Sequence, residues 1–190
     1  MTPRRKVMAV VGNGGDIPIP VAALARSLGR AAVDSGFRIV TGGLGGVMAA
    51  VSEGARGGER YTEGDIIGVL PGYDRAAANP WVDVVIPTGM QLARNVVVVS
   101  MADVVVAVGG GAGTLSEVAL AWQLGRPVIA LLGASGWAED LAGRTLDHRH
   151  AEPIATARSV DEVIELALRA TEVLRLEAGD VGSGWRGGAR

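Results

Sequence analysis

The chain has 190 residues, 48% hydrophobic and 20% charged, with a formal net charge of −2 at pH 7. That length suits one domain with a sizeable core, and the balance excludes a disordered chain and a basic surface for nucleic acid. Cysteine is absent, which excludes disulfides, thiolate catalysis and zinc–sulfur sites and makes the cytoplasm the default compartment.

Val7–Val11 follows Arg4-Arg5-Lys6. It reads as a first strand and not as a signal peptide, because the apolar run is short and Gly12-Asn13-Gly14-Gly15-Asp16 follows at once. A helix is expected from about Ile19 to Ser35, stopped by Gly36. Phe37–Val40 reads as the second strand and runs into Thr41-Gly42-Gly43-Leu44-Gly45-Gly46. Val47–Arg56 reads as a helix closed by Gly57-Gly58, and Ile66–Leu70 and Val82–Ile86 as strands ending at Pro71 and Pro87.

Met90 to Met101 is ambiguous by composition, since Val96 to Val99 favour a strand. A right-handed crossover into the next strand, Val104–Val108, requires a helix there, and a helix is expected. A helix over Leu115–Leu124, a strand over Pro127–Leu132 and a short helix near Ser135–Leu141 follow. The last strand is expected at Glu152–Ala155 and the last helix at Val160–Leu176. Strands alternating with helices predict an α/β fold, a doubly wound parallel sheet of about seven strands with helices on both faces. Residues 1–178 are expected to form one domain and 179–190, rich in glycine, a flexible tail. No window approaches the roughly 18 apolar residues of a membrane span.

Lys6 is the only lysine, and it precedes the first strand. Ligands of open α/β sheets bind at the opposite, carboxyl ends of the strands, so a pyridoxal phosphate Schiff base has no lysine to use. A P-loop, which needs Gly-Lys-Ser/Thr, is excluded as well.

Three glycine-rich turns follow three of the strands, at Gly12–Gly15, Gly42–Gly46 and Gly109–Gly113. Each alone is an ordinary turn. Together at strand ends they predict one shared crevice. None fits G-x-G-x-x-G, since Ile17 and Thr114 stand at the third glycine position, so a nicotinamide redox enzyme is disfavoured. The third turn opens a helix, where free amides and the positive dipole end favour a phosphate. Its residues Gly110, Gly111, Gly113 and Thr114 are the expected phosphate contacts, with Gly12, Gly14, Gly42, Gly43 and Gly45 bringing the other loops close.

Thr114-x-x-Glu117 admits two readings: a capping box, or a hydroxyl and a carboxylate acting beside a bound phosphate. Arg94 is either a solvated helix arginine or a fork of donors for phosphate oxygens. Asp16 suits a sugar hydroxyl or simply a turn. His148 and His150 have no acidic cluster nearby and are expected on the surface, with no metal site. The helix Leu115–Leu124 is apolar nearly all round, so either neighbouring helices or a second copy of the chain must cover it.

Thr41-Gly42-Gly43 with Gly45-Gly46-Val47-Met48, Gly89-Met90 with Arg94-Asn95, and Gly109-Gly110-Gly111-Ala112-Gly113-Thr114-Leu115-Ser116-Glu117 resemble the Rossmann-like superfamily often mislabelled "lysine decarboxylase". It includes the LOG phosphoribohydrolases and the molybdenum cofactor carrier proteins, and the similarity runs over most of the chain. The resemblance implies a homodimer and a ligand phosphate on the glycine loops. By it, Arg94 and Glu117 match the catalytic arginine and glutamate of the LOG enzymes. Asn95 stands where those enzymes carry lysine and Gly109 where they carry proline, and both departures resemble the carrier branch. The expectation is a cytoplasmic, dimeric binder of a small phosphorylated ligand, with molybdopterin as the carried group and no other cofactor. The alternative is hydrolysis of a nucleoside 5′-monophosphate to base and ribose 5-phosphate.

Overall fold

The computed structural model describes residues 4–180. Seven short strands form one sheet: β1 (Val7–Gly12), β2 (Arg38–Thr41), β3 (Ile66–Leu70), β4 (Val84–Pro87), β5 (Val104–Val108), β6 (Val128–Leu131) and β7 (Ala155–Ala157). Every neighbouring pair is parallel, in the order β4-β3-β2-β1-β5-β6-β7. The chain therefore builds outward from β1 in one direction, then returns to its other side at β5. This is the doubly wound α/β architecture expected from the alternating pattern.

The central strands are apolar on both faces because helices cover both. Met8 and Val10 of β1 and Val104, Val106 and Val108 of β5 pack with α1 (Ile19–Asp34), α2 (Val47–Arg56) and α6 (Val160–Asp180). Ala9 and Val11, with Val105 and Ala107, face α3 (Arg94–Met101), α4 (Ala112–Gln123) and α5 (Trp137–Leu141). Two single 3₁₀ turns, Arg75–Ala77 and Gln91–Ala93, precede β4 and α3. Gly36 (φ +90°) stops α1 as expected, with its amide and that of Phe37 donating back to Val33 and Ala32.

The Met90–Met101 segment is helical from Arg94 despite its valines, with Val98 and Val99 fully buried against the sheet. Several boundaries differ from expectation. Strand β4 starts at Val84, two residues late, and β7 occupies Ala155–Ala157 instead of Glu152–Ala155, because pairing of Ile129 with Ala155 and Leu131 with Ala157 sets its register. Helix α6 continues through Gly179 to Asp180; the rest of the expected tail lies outside the described residues. Among the described residues no helix is long and apolar enough to cross a membrane.

Candidate functional site

In the ladder between β1 and β5, Gly12 lies opposite Val108, so the loops that leave these strands meet at the carboxyl edge of the sheet. This is the point where the strand order reverses, where open α/β sheets leave a crevice. The turn after β2 joins them through Val47, whose amide donates to the Asn13 carbonyl at 2.9 Å. Thr41, fully buried, accepts from the Gly43 amide at 3.0 Å and holds that turn in shape.

Helix α4 begins earlier than the sequence suggests. Gly111 is its N-cap and Ala112 its first residue, so Thr114 is already the third residue inside it. No side chain caps this end, and the capping box that Thr114 and Glu117 were able to form does not exist. Among the described residues no hydrogen bond takes up the amides of Ala112, Gly113 and Thr114. These are the free donors of a helix N-terminus, and the dipole adds partial positive charge there. The Gly110 amide is not among them, because it donates to Asn13 Oδ1.

A cavity of about 230 Å³ opens beside these amides. Gly12, Gly14, Gly42, Arg94, Asn95, Gly113, Thr114 and Glu117 line it, all of them singled out from the sequence. Gly43, Gly45, Gly110 and Gly111 stand in the surrounding loops without lining it, and Asp16 is exposed away from it. Val10, Val11, Leu44, Met48 and Leu92 complete the wall. The sequence did not mark them, since apolar residues beside a strand or helix read as core. Leu92 is 83% exposed and stands at the rim of the cavity, whereas Val10, Val11 and Met48 are buried.

Arg94 opens α3 and Glu117 lies one turn into α4; their Nη1 and Oε1 atoms are 3.7 Å apart, too far for a hydrogen bond. Burial pushes the Glu117 carboxyl up to about 7, against the opposing pull of the guanidinium. Burial lowers Arg94 from its ordinary value, partly offset by Glu117. Arg94 Nη1 is buried with no hydrogen-bond partner among the described residues. Asn95 is buried and donates to Ser116 Oγ at 3.1 Å, tying α3 to α4 behind the site. The arrangement offers three amides, a guanidinium and a carboxyl that titrates near neutrality. Such a set can hold an oxyanion and move a proton beside it.

His148 is exposed, whereas His150 is half-buried, its Nε2 2.7 Å from the Trp122 carbonyl and its ring edge-on to Trp122 at 4.9 Å. Neither lines the cavity beside the amides. A second cavity of about 280 Å³ lies between Trp122, Pro127, Val128 and Ile154 at the amino ends of β6 and β7. Arg126, His150 and Glu152 line it as well.

The fold has known counterparts. The molybdenum cofactor binding protein of the phototrophic bacterium Rippkaea orientalis superposes with a TM-score of 0.75 at 34% identity, over 87% of this chain and 97% of that one. The molybdenum cofactor carrier protein of Chlamydomonas reinhardtii gives a TM-score of 0.76 at 33% identity, over 89% and 99%. An uncharacterized protein of Archaeoglobus fulgidus is 35% identical over 124 residues, 65% of this chain and 78% of its own. The SLOG cluster4 family model matches residues 5–164, and the chain belongs to that family.

Proposed function

We propose that this chain binds a small phosphorylated, nucleotide-like ligand and carries it without turnover, in the manner of the molybdenum cofactor proteins it resembles. The observation that carries this reading is Arg94 Nη1, buried against the cavity without an acceptor. An unsatisfied buried donor costs about 1–3 kcal/mol, more when it is charged, and a ligand phosphate oxygen removes that cost. The amides of Ala112, Gly113 and Thr114 would take the remaining oxygens, as helix N-termini do. A carried molybdopterin fits this donor set through its phosphate. The cavity is below the roughly 300–1,000 Å³ that encloses a whole drug-sized ligand, so the ring system would rest at the rim beside Leu92.

A second reading has its own observation. A carboxyl titrating near 7 inside the cavity, 3.7 Å from a guanidinium, suits a LOG-type hydrolase. Glu117 would deprotonate the water that bonds to the anomeric carbon as the C–N bond to the base breaks. The base would leave with a proton, and Arg94 would stabilise the developing charge.

We place the protein in the cytoplasm as a homodimer, packed through α3 and the end of α4, where Val96 and Leu124, the residue that follows α4, are 43% and 47% exposed. Mass spectrometry of ligand retained through native purification, and titration with AMP, test the leading reading. Binding with no free base released supports the carrier; release of base supports the hydrolase; no binding of either kind rejects both.

A further inference from the structure

Asn13 has no part in the chemistry above, yet it contacts both of the other glycine-rich loops. It sits between Gly12, the last residue of β1, and Gly14, which lines the cavity. Its side-chain Oδ1 accepts from the Gly110 amide in the turn after β5, and its main-chain carbonyl accepts from the Val47 amide at the start of α2. Both neighbours crowd it: a Cβ on Gly46 would lie 2.2 Å from the Asn13 carbonyl oxygen, and one on Gly109 would lie 3.0 Å from its Oδ1. The Asn13 residue itself is exposed, so the contact is not there to fill the core.

We infer that Asn13 is a positioning residue that fixes the spacing of the three glycine loops and thereby the geometry of the oxyanion cradle, an inference that rests on the phosphate-binding reading. The chemistry of the residue fits that task. A carboxamide oxygen accepts the Gly110 amide without placing a negative charge beside the cradle, whereas aspartate would accept equally well and repel an anion. The bond also aims the turn, because with Gly110 held by Asn13 the next amides are those of Gly111 and the first turn of α4.

The test uses the full chain, with AMP and inorganic phosphate as probes. Asn13→Ala removes the acceptor; amide exchange at Gly110 should then quicken by at least roughly tenfold while the strands stay protected. AMP affinity should fall roughly tenfold, the worth of one lost hydrogen bond of about 1.4 kcal/mol. Asn13→Asp should keep Gly110 protected yet bind AMP more weakly than the wild type, by a margin that shrinks as salt is added. Two results overturn the inference: unaltered Gly110 exchange in Asn13→Ala, or faster exchange with wild-type affinity. If Asn13→Ala does not fold, the aspartate variant decides, because unprotected Gly110 or undiminished affinity there contradicts the role. A wild-type protein that binds neither probe instead overturns the phosphate-binding reading, and with it the role of Asn13 in affinity.

Discussion

Where α1 crosses α2, glycines face backbone. A Cβ on Gly29 would lie 2.0 Å from the Val51 carbonyl oxygen, and one on Gly54 1.9 Å from that of Arg26. At the carboxyl edge of the sheet Gly12 and Gly46 also face main-chain oxygens, but two site glycines face side chains. A Cβ on Gly42 would lie 2.2 Å from Arg94 Nη1, and one on Gly110 2.3 Å from the Thr114 Cβ. A helix backbone inside a packed core cannot yield, because interiors are close-packed and transmit strain. A guanidinium at the end of a flexible chain can swing away. The same added methyl group should therefore cost folding at Gly29 and Gly54 and ligand geometry at Gly42.

The largest effect is expected at the helix seam. Gly54→Ala gains about 1 kcal/mol in helix propensity, but the methyl group must push the two backbones apart, and overpacking costs about 1–3 kcal/mol or more. A 1.9 Å contact with a carbonyl oxygen puts the overpacking at or above the top of that range, about 3–4 kcal/mol, so a net loss of about 2–3 kcal/mol is expected in urea unfolding. AMP affinity of the folded fraction should stay unchanged. A variant as stable as the wild type would break the comparison on its structural side. Next comes Arg94→Ala, measured at pH 6 where Glu117 is mostly protonated. Losing a charged donor should weaken AMP binding roughly a hundredfold, with stability little altered because the removed Nη1 was unsatisfied. Gly42→Ala is the subtler counterpart. It leaves Arg94 in the chain but turns its guanidinium aside, so affinity should fall roughly tenfold. Its unfolding midpoint should stay within about 2 °C of the wild type, no more than about 1 kcal/mol would move it. A Gly42→Ala protein that unfolds like Gly54→Ala would erase the distinction between the regions.

The sheet was legible in the sequence because its central strands are buried on both faces and read as unbroken apolar runs, as at Val104–Val108. The edge strand Ala155-Thr156-Ala157 was not, since it contains no large apolar residue and owes its place to pairing with β6. Composition alone would have made Val96–Val99 a strand, and the demands of a parallel crossover gave the right answer. At α4 local chemistry misled: Thr114 looks like a cap, and the glycine-rich turn before it hides that the helix has already begun at Ala112. Arg94 and Glu117 could be singled out because their motifs are local and chemically distinctive. The role of Asn13 depends on a bond to Gly110, 97 residues away, and no local pattern announces it. An asparagine set among the glycines of a strand-end loop was the one available signal, since its side chain readily bonds nearby main chain.

The smallest effect separates the two regions by their protons. The folded state holds the Glu117 carboxyl at about 7, above its ordinary 4.5, so between pH 6 and 8 the folded protein binds a proton that the unfolded chain has released. The protonated form is the one the buried site tolerates. Its contribution is complete below pH 4.5 and is lost as pH rises through 7, which amounts to about 1 kcal/mol of stability between pH 6 and 8. Glu117→Gln keeps the shape without the titration, so the difference between its stability and that of the wild type should grow by that amount over the same interval. Gly54→Ala, which leaves Glu117 in place, should keep the wild-type slope on a lower curve. If Glu117→Gln and the wild type lose stability in parallel, the carboxyl is already ionised in the folded protein. Both the proton-transfer reading and the tolerance of an anion beside it would then have to be abandoned.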